Sequence, residues 1–170
     1  YVGVLQGLPR PGVEYTNRLA TLPGPRPLKL QFAAPAHVYD VRAGRYLGRR
    51  DQLSLDLRAG IAHLYALLPS DVREVELRAP DKAAPGETVR YAATIKLASG
   101  APGRHVVRVT VAGPDGKERP WYARNLLADN GRVVGEFTFA LDDQPGTWTI
   151  TARDVASGVS AARVLRLSGR

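Results

Sequence analysis

The run Gly146-Thr147-Trp148-Thr149-Ile150-Thr151-Ala152 limits the possible folds of this chain more than any other stretch. Its apolar side chains, on Trp148, Ile150 and Ala152, alternate with threonines. Successive side chains of an extended strand point to opposite faces, so this run has one apolar face and one hydroxyl-bearing face. Such a segment is typical of a β-strand that is buried on one side and hydrated on the other.

Further strands are predicted on both sides of this run. Turn sequences such as Pro114-Asp115-Gly116, Asp129-Asn130-Gly131 and Ser157-Gly158 separate them. The predicted strands are Val72 to Leu77, Thr88 to Leu97, Arg104 to Ala112, Trp121 to Ala128, Arg132 to Leu141, Gly146 to Asp154 and Ser160 to Leu167. Seven strands with turns at this rhythm predict an immunoglobulin-like β-sandwich.

The first part of the chain predicts a smaller all-β domain. After a strand at residues 1–6, residues 7–27 are rich in proline and glycine without periodicity, so we expect a long irregular connection. About five short strands follow in an antiparallel meander: Leu28 to Phe32, His37 to Asp40, Arg45 to Gly48, Gln52 to Leu57 and Ile61 to Leu68. We expect a small meander or sandwich over residues 1–70 and the immunoglobulin-like sandwich over residues 71–170. The predicted fold class is all-β.

The same alternation predicts which side chains fill the sandwich core. On three of the strands, β-branched and aromatic residues share a face opposite charged and hydroxylated ones. Trp148 is expected to anchor this core. The other inward-facing residues are expected to be Val89, Tyr91, Ala93, Ile95 and Leu97, then Val107, Val109 and Val111, and finally Val133, Phe137, Phe139 and Leu141.

Composition and charge argue against several classes of function. The 170 residues contain no cysteine, which excludes a disulfide framework or a thiolate metal site. They also contain no methionine, and because Tyr1 lies within a predicted strand we expect a fragment of a longer protein or the remainder of one after processing. The net charge is +8, but apart from Arg49-Arg50 the arginines are dispersed, which favours solubilising charge over a nucleic-acid surface. No apolar run approaches the roughly 20 residues of a membrane span, so membrane insertion is not expected.

Carboxylates that could act in hydrolysis have no catalytic pattern. Glycoside hydrolysis needs two of them about 5–9.5 Å apart. The candidates in the first domain fall at strand ends, in turns or on hydrated faces: Asp40, Asp51 and Asp56. Those in the second domain lack the repeated spacing of a calcium loop and favour turns: Asp115, Asp129 and Asp142-Asp143.

Histidine and serine give no stronger indication of chemistry. His37, His63 and His105 lie in separate predicted strands and show neither HxH nor HExxH spacing. None of the serines lies in a GxSxG nucleophile elbow, and no glycine-rich phosphate loop precedes a helix. We therefore predict no catalytic residue, no metal site and no cofactor.

Trp121 and Tyr122 are the best remaining candidates for a functional contact. Sugar-binding modules stack pyranose rings on exposed aromatic side chains, and these two residues follow Pro120 in a predicted strand. Because neighbouring strand residues face opposite ways, one of the two rings is expected to face outward. An aromatic ring can equally cover a domain interface or belong to the core. The sequence favours an interface or core position over a carbohydrate platform, and leaves both open.

Three segments of the second domain carry a family resemblance: VREVELRAPDKAAPGETVRYAATIKL, HVVRVTVAGPDGK and LLADNGRVVGEFTFALDDQPGTWTITARDVASG. Together they cover nearly all of residues 72–167. Their pattern resembles the macroglobulin-type immunoglobulin-like domains of bacterial surface and secreted proteins. Because the shared positions are turns and core residues, the resemblance implies a fold and no particular activity.

A second resemblance lies in the first domain, in AHVYDVRAGRYLGRRDQLSLDLRAGIAHLYALLP. This segment is similar to the small all-β domain that follows the catalytic barrel in many glycoside hydrolases, particularly β-galactosidase-like multidomain proteins. The family's catalytic carboxylates lie on the barrel, so the resemblance implies a neighbouring barrel and no catalytic residue here. The matching positions are Tyr39, Asp40, Gly44, Tyr46, Leu47, Gly48, Gly60, Ala62, Tyr65 and Pro69.

These observations predict a non-catalytic accessory region from the carboxy-terminal end of a larger carbohydrate-active protein. Its expected partners are the neighbouring domain of the parent chain, which it would brace or space, and a weakly bound glycan or protein surface. The expected location is extracytoplasmic: secreted, periplasmic or on the cell surface. The alternative is a macroglobulin-like interaction or spacer module of a bacterial envelope or secreted protein without glycosidase activity.

Overall fold

The computed structural model describes residues 1–6, 24–58 and 60–169, and these are largely β-strand. The one helical segment in those ranges is a single 3-10 turn at Pro120–Tyr122. The same ranges hold no helix that is both long and apolar enough to cross a membrane. The predicted all-β fold class is therefore confirmed. The chain divides into two compact units, Tyr1–Pro69 and Ser70–Arg170.

The first unit is built on an antiparallel sheet. The strands described for it are β1 (Val2–Leu5), β2 (Arg26–Asp40), β3 (Arg45–Leu57) and β4 (Ala62–Leu68), in the order β1-β4-β2-β3. β2 and β3 form one long hairpin, and Gly44 in its turn has a φ of 60°, which glycine adopts without strain. The irregular connection predicted for residues 7–27 lies outside the described residues from 7 to 23, and β2 begins at Arg26.

The two short strands predicted on either side of Ala34-Pro35 are in fact one strand, β2. A bulge takes up the expected turn, so that residues 32–35 lie opposite residue 51 alone. Proline has no N–H for the ladder, and a bulge is a place where a strand tolerates it. β3 likewise joins two predicted strands, because Arg49 and Arg50 in the expected gap pair with His37 and Ala36 of β2.

Leucines fill the core of the first unit. The cross-strand pairs Leu28–Leu55 and Leu30–Leu53 place them side by side on the hairpin. This arrangement follows from the alternation of leucine with polar residues along β3. The buried centre is made of Val38, Leu53 and Tyr65, with Leu30, Phe32, Leu47, Leu55 and Leu67 packed around it.

The second unit is a sandwich of two sheets. Its strands are β5 (Val72–Arg78), β6 (Lys82–Ala83), β7 (Thr88–Leu97), β8 (His105–Ala112), β9 (Arg124–Ala128), β10 (Arg132–Thr138), β11 (Gly146–Asp154) and β12 (Ser160–Leu167). One sheet has the order β10-β7-β5 and the other β6-β12-β11-β8-β9. Seven of these strands match the prediction. β6 was not predicted, because its two residues are too few to show an alternation.

Two strands of the sandwich are each three residues shorter than predicted. Trp121 was expected to begin β9, but Pro120 opens the 3-10 turn and the strand starts at Arg124. β10 ends at Thr138 because the N–H of Ala140 donates to the side-chain oxygens of Tyr122 and Asp143 instead of to a strand. The prediction that Leu141 faces the core was therefore wrong, and its side chain is 63% exposed.

The sandwich core follows the alternation seen in the sequence. Trp148, Ile150 and Ala152 of β11 are buried, and the threonines between them are less so. The predicted inward residues around them are also buried, except for Leu141 and the partly exposed Leu97. The buried set comprises Val89, Tyr91, Ala93, Ile95, Val107, Val109, Val111, Val133, Phe137 and Phe139.

A side chain joins the two sheets along one open side of the sandwich. β5 is the outer strand of its sheet, and the carbonyl of Leu77 accepts a hydrogen bond from Arg163 Nε on β12 at 2.8 Å. Carbonyls on an outer strand otherwise face water or an incoming strand of another chain. Arg163 on one sheet therefore provides a hydrogen-bond donor to a carbonyl on the outer strand of the other sheet.

Candidate functional site

The structure gives Trp121 and Tyr122 opposite environments. Both lie in the 3-10 turn, where the N–H of Tyr122 donates to the Arg119 carbonyl at 3.0 Å and that of Ala123 to the Pro120 carbonyl at 3.1 Å. The indole of Trp121 points into solvent with 59% of its surface exposed, whereas Tyr122 is buried. The two rings point in different directions because both residues lie in a 3-10 turn, and not because they alternate along a strand.

Tyr122 is anchored in the sandwich core. Its ring centroid lies 5.0 Å from that of Phe137 and 6.3 Å from that of Trp148. Its hydroxyl donates to the carboxylate of Asp143 and accepts the N–H of Ala140 at 2.9 Å. Burial and the bond to Asp143 raise the pKa of Tyr122 above its ordinary value. Tyr122 is thus a fixed, neutral hydroxyl that ties the turn to the core.

Trp121 is held in place by its neighbours although its ring is exposed. The indole meets Tyr122 edge-on, with centroids 5.9 Å apart and planes at 63°. The Trp121 carbonyl accepts a hydrogen bond from Arg124 Nη1 at 2.8 Å, and the Ala123 carbonyl accepts a second at the same distance. These contacts fix the backbone under the ring. They leave an indole face that is available for contact.

The structure also brings together a histidine, a carboxylate and a hydroxyl that the sequence keeps apart. His105 Nδ1 lies 3.0 Å from Asp154 Oδ1, and Asp154 Oδ2 accepts the hydroxyl of Ser157 at 2.6 Å and its N–H at 2.9 Å. All three side chains are buried. Sequence reasoning missed this cluster. The local sequence indicated only a turn from Asp154 to Gly158. His105 comes close to Asp154 because β8 pairs with β11, which no local pattern shows.

This cluster is arranged for structure and not for hydrolysis. In a hydrolytic triad the imidazole lies between the serine and the carboxylate and takes the serine proton. Here Asp154 lies between His105 and Ser157, so the serine hydroxyl donates to a carboxylate and is not activated. Burial alone would raise the pKa of Asp154, but hydrogen bonds from His105 and Ser157 lower it below its ordinary value. Asp154 is therefore a buried anion that closes the turn after β11.

Other carboxylates named from the sequence also serve turns. Asp40 Oδ1 accepts the N–H of Ala43 at 3.0 Å in the β2–β3 turn. Asp115 Oδ1 accepts the N–H of Lys117 at 3.1 Å and pairs with Arg119, and these contacts hold the pKa of Asp115 below its ordinary value. Across the described ranges, no group of three or more histidine, aspartate or glutamate side chains is placed to hold a metal ion.

Comparison with known proteins gives distant similarities. No family model matches the chain, and no curated protein does so either. The CARDB domain of a Pyrococcus furiosus protein, solved with di-metal ions, is 17% identical with a TM-score of 0.41, over 58% of this chain and 89% of that one. Salmonella alpha-2-macroglobulin is 14% identical with a TM-score of 0.48, over 88% of this chain and 12% of that one.

A third similar structure is the beta-glucosidase of Listeria innocua in complex with isofagomine. It is 18% identical with a TM-score of 0.38, over 56% of this chain and 16% of that one. All three TM-scores are below 0.5, and these similarities assign no family and no function to the chain. Its own strands and register define the class: an all-β protein whose second unit is an immunoglobulin-like sandwich.

Proposed function

We propose that the chain is a non-catalytic accessory region of a larger carbohydrate-active protein, in which it braces or spaces a neighbouring catalytic domain. The buried cluster of His105, Asp154 and Ser157 carries the non-catalytic part of this proposal, because the groups best suited to chemistry are engaged in closing a turn. The resemblance of residues 36–69 to the β-domain beside glycosidase barrels supports a glycoside hydrolase parent of the β-galactosidase-like kind. It also supports an extracytoplasmic location.

A weak contact with glycan is part of this proposal, and Trp121 is the residue that makes it. Its exposed indole is oriented by Tyr122 and by the bonds that Arg124 donates beneath it. A ring whose orientation is set before binding loses little conformational entropy when a sugar stacks on it. Tyr122 supports the indole from the core and does not itself contact the ligand.

Retention on an immobilised neutral polysaccharide tests this contact. We expect the 170-residue chain to be retarded and Trp121→Ala to lose that retardation. Leu127→Ala is the matched control, because Leu127 is another exposed apolar side chain of the same unit, on β9. If Trp121→Ala is retained as well as the unchanged chain, the glycan contact at this residue is refuted.

Three further observations test the accessory role. Hydrolysis of aryl glycosides by the 170 residues alone would overturn the non-catalytic assignment. In the full-length parent protein, deletion of residues 71–170 is expected to lower the thermal midpoint of the catalytic domain. An unchanged midpoint and activity would contradict bracing. A parent reading frame that encodes only further β-domains would favour the alternative of an envelope spacer.

A further inference from the structure

Two aromatic rings form a continuous surface on the β2–β3 hairpin of the first unit. The rings of His37 and Tyr46 have centroids 5.9 Å apart and planes within 11° of each other. The Tyr46 hydroxyl and His37 Nδ1 are hydrogen-bonded at 2.7 Å. The rings are therefore nearly parallel and are joined at their edges by this hydrogen bond. Together they form one aromatic surface on the hairpin.

Tyr46 is supported on one side and open on the other. Its ring packs against the buried Tyr39, with centroids 4.8 Å apart and planes tilted by 36°. Its own side chain is nevertheless 42% exposed. The packing on Tyr39 and the bond to His37 therefore set the ring orientation before any ligand arrives, which limits the entropy lost on binding.

The hairpin that carries this ring pair is rich in arginine. Residues 40–50 contain one carboxylate, on Asp40, and the four exposed arginines Arg42, Arg45, Arg49 and Arg50. Arg49 lies opposite His37 in the hairpin register, so both side chains are on the face that carries the rings. In the part of the chain that the structure describes, none of the four guanidinium groups pairs with a carboxylate.

We propose that His37, Tyr46 and Arg49 form a hairpin surface that binds an anionic glycan. A sugar ring stacks on the aromatic pair, and its carboxylate or sulfate group meets the planar fork of Arg49, whose geometry suits such oxyanions. The proposal rests on the carbohydrate-active setting proposed above but uses residues of the other unit. It assigns this chain a second, chemically distinct contact.

Single-stranded nucleic acid is the competing ligand, because bases also stack on aromatic rings. Nucleic-acid grooves follow the backbone with a series of cations. Arg45 and Arg50 lie opposite Asp40 and Ala36, which places both side chains on the other face of the hairpin. Arg42 is engaged elsewhere, because its Nη1 donates to the Ala62 carbonyl at 2.8 Å. With Arg49 as the cation beside the rings, the surface matches one acidic group on a sugar better than a run of phosphates.

Affinity electrophoresis of the 170-residue chain in gels containing polygalacturonate tests the proposal. Loss of one stacking or ionic contact of about 1.4 kcal/mol weakens binding tenfold, and we expect Tyr46→Ala and Arg49→Ala each to do so to about that extent. Tyr46→Phe keeps the ring and should keep most of the retardation. Arg132→Ala is the matched control, because it removes the same charge from an exposed arginine of the second unit.

Each outcome decides for or against the hairpin surface. Equal weakening by Arg49→Ala and Arg132→Ala would mean that net charge alone causes retardation, and the proposal would fail. Tighter, Tyr46-dependent binding of single-stranded DNA would also overturn it. Arg49 is exposed and outside the core, so Arg49→Ala keeps the test valid if Tyr46→Ala unfolds. A neutral polysaccharide gel reports on Trp121 separately, so either proposal can fail while the other stands.

Discussion

Replacing Trp148 with alanine is expected to destabilise the second unit by about 3–5 kcal/mol. The indole is 1% exposed and meets Phe139 at 5.0 Å and Tyr122 at 6.3 Å between ring centroids. Its Nε1 donates to the Gln144 carbonyl at 3.0 Å, and the guanidinium carbon of Arg119 lies 5.7 Å from the ring centroid. The substitution removes all of these contacts and leaves a cavity between the two sheets.

The magnitude follows from these separate contacts. The Nε1 hydrogen bond contributes about 1 kcal/mol, and each edge-to-face aromatic pair about 0.5–1.5 kcal/mol beyond burial. Burial of the indole and the cavity supply the rest. Trp148→Phe keeps a ring in the core but loses the bond to Gln144, so it should cost about 1–2 kcal/mol. The expected order of destabilisation is Trp148→Ala, then Trp148→Phe.

Urea unfolding followed by far-ultraviolet circular dichroism measures these differences without relying on tryptophan fluorescence. Trp121→Ala is the matched control, since it makes the same chemical change at an exposed ring and should alter the free energy of unfolding by about 0.5 kcal/mol or less. The reasoning is refuted if Trp148→Ala costs less than about 1 kcal/mol. It is refuted equally if the two alanine variants are equally unstable.

Two further predictions concern buried turns. Hydrogen bonds outweigh burial and keep the pKa of Asp154 in the folded state below its ordinary value. The ionised carboxylate therefore stabilises the fold at any pH above the unfolded-state pKa of about 3.9. This stabilisation is lost as the pH falls through the lower pKa of the folded state. Asp154→Asn should therefore cost about 2–3 kcal/mol at neutral pH and flatten the acid limb of stability, and an unchanged acid limb in parallel urea titrations would contradict this. Gly131 has a φ of 71° and an added Cβ would lie 2.4 Å from Pro102 Cγ, whereas Gly116, at 74°, has open space. Gly131→Ala should have a free energy of unfolding lower than that of Gly116→Ala by more than about 1 kcal/mol, and equal values in urea titrations would show that Pro102 moves aside.

Much of the second unit could be predicted from the sequence because its side chains alternate regularly. Trp148, Ile150 and Ala152 are buried as expected, and Asn130 and Gly131 have the positive φ values of 50° and 71° that an Asn-Gly turn requires. These features depend on neighbours in the sequence. Local patterns are enough to specify them.

Features that depend on tertiary contacts were missed. Pro35 signalled a turn, but the long hairpin absorbs it in a bulge. Leu141 continued the alternation of β10, but side chains outside the strand capture the preceding N–H and end the ladder. His105 and Asp154 meet only through strand register, across 49 residues of sequence.

The geometry of the candidate contact was also only partly predictable. Trp121 and Tyr122 were assigned to a strand, whose alternation separates neighbouring rings. Pro120 begins a helical turn instead, because its fixed φ suits the first position of a helix. Which of the two rings is buried depends on the partners Phe137 and Asp143, which no local pattern identifies.

Domains of one polypeptide meet at high local concentration, and an outer strand with unpaired backbone groups can pair with a strand of a neighbouring domain. The outward carbonyl of Leu77 would offer such a starting point, but the guanidinium of Arg163 already covers it. A foreign strand would first have to displace a charged group held by its own molecule. Arg163 therefore protects this point of the β5 edge against pairing with a strand from a neighbouring domain.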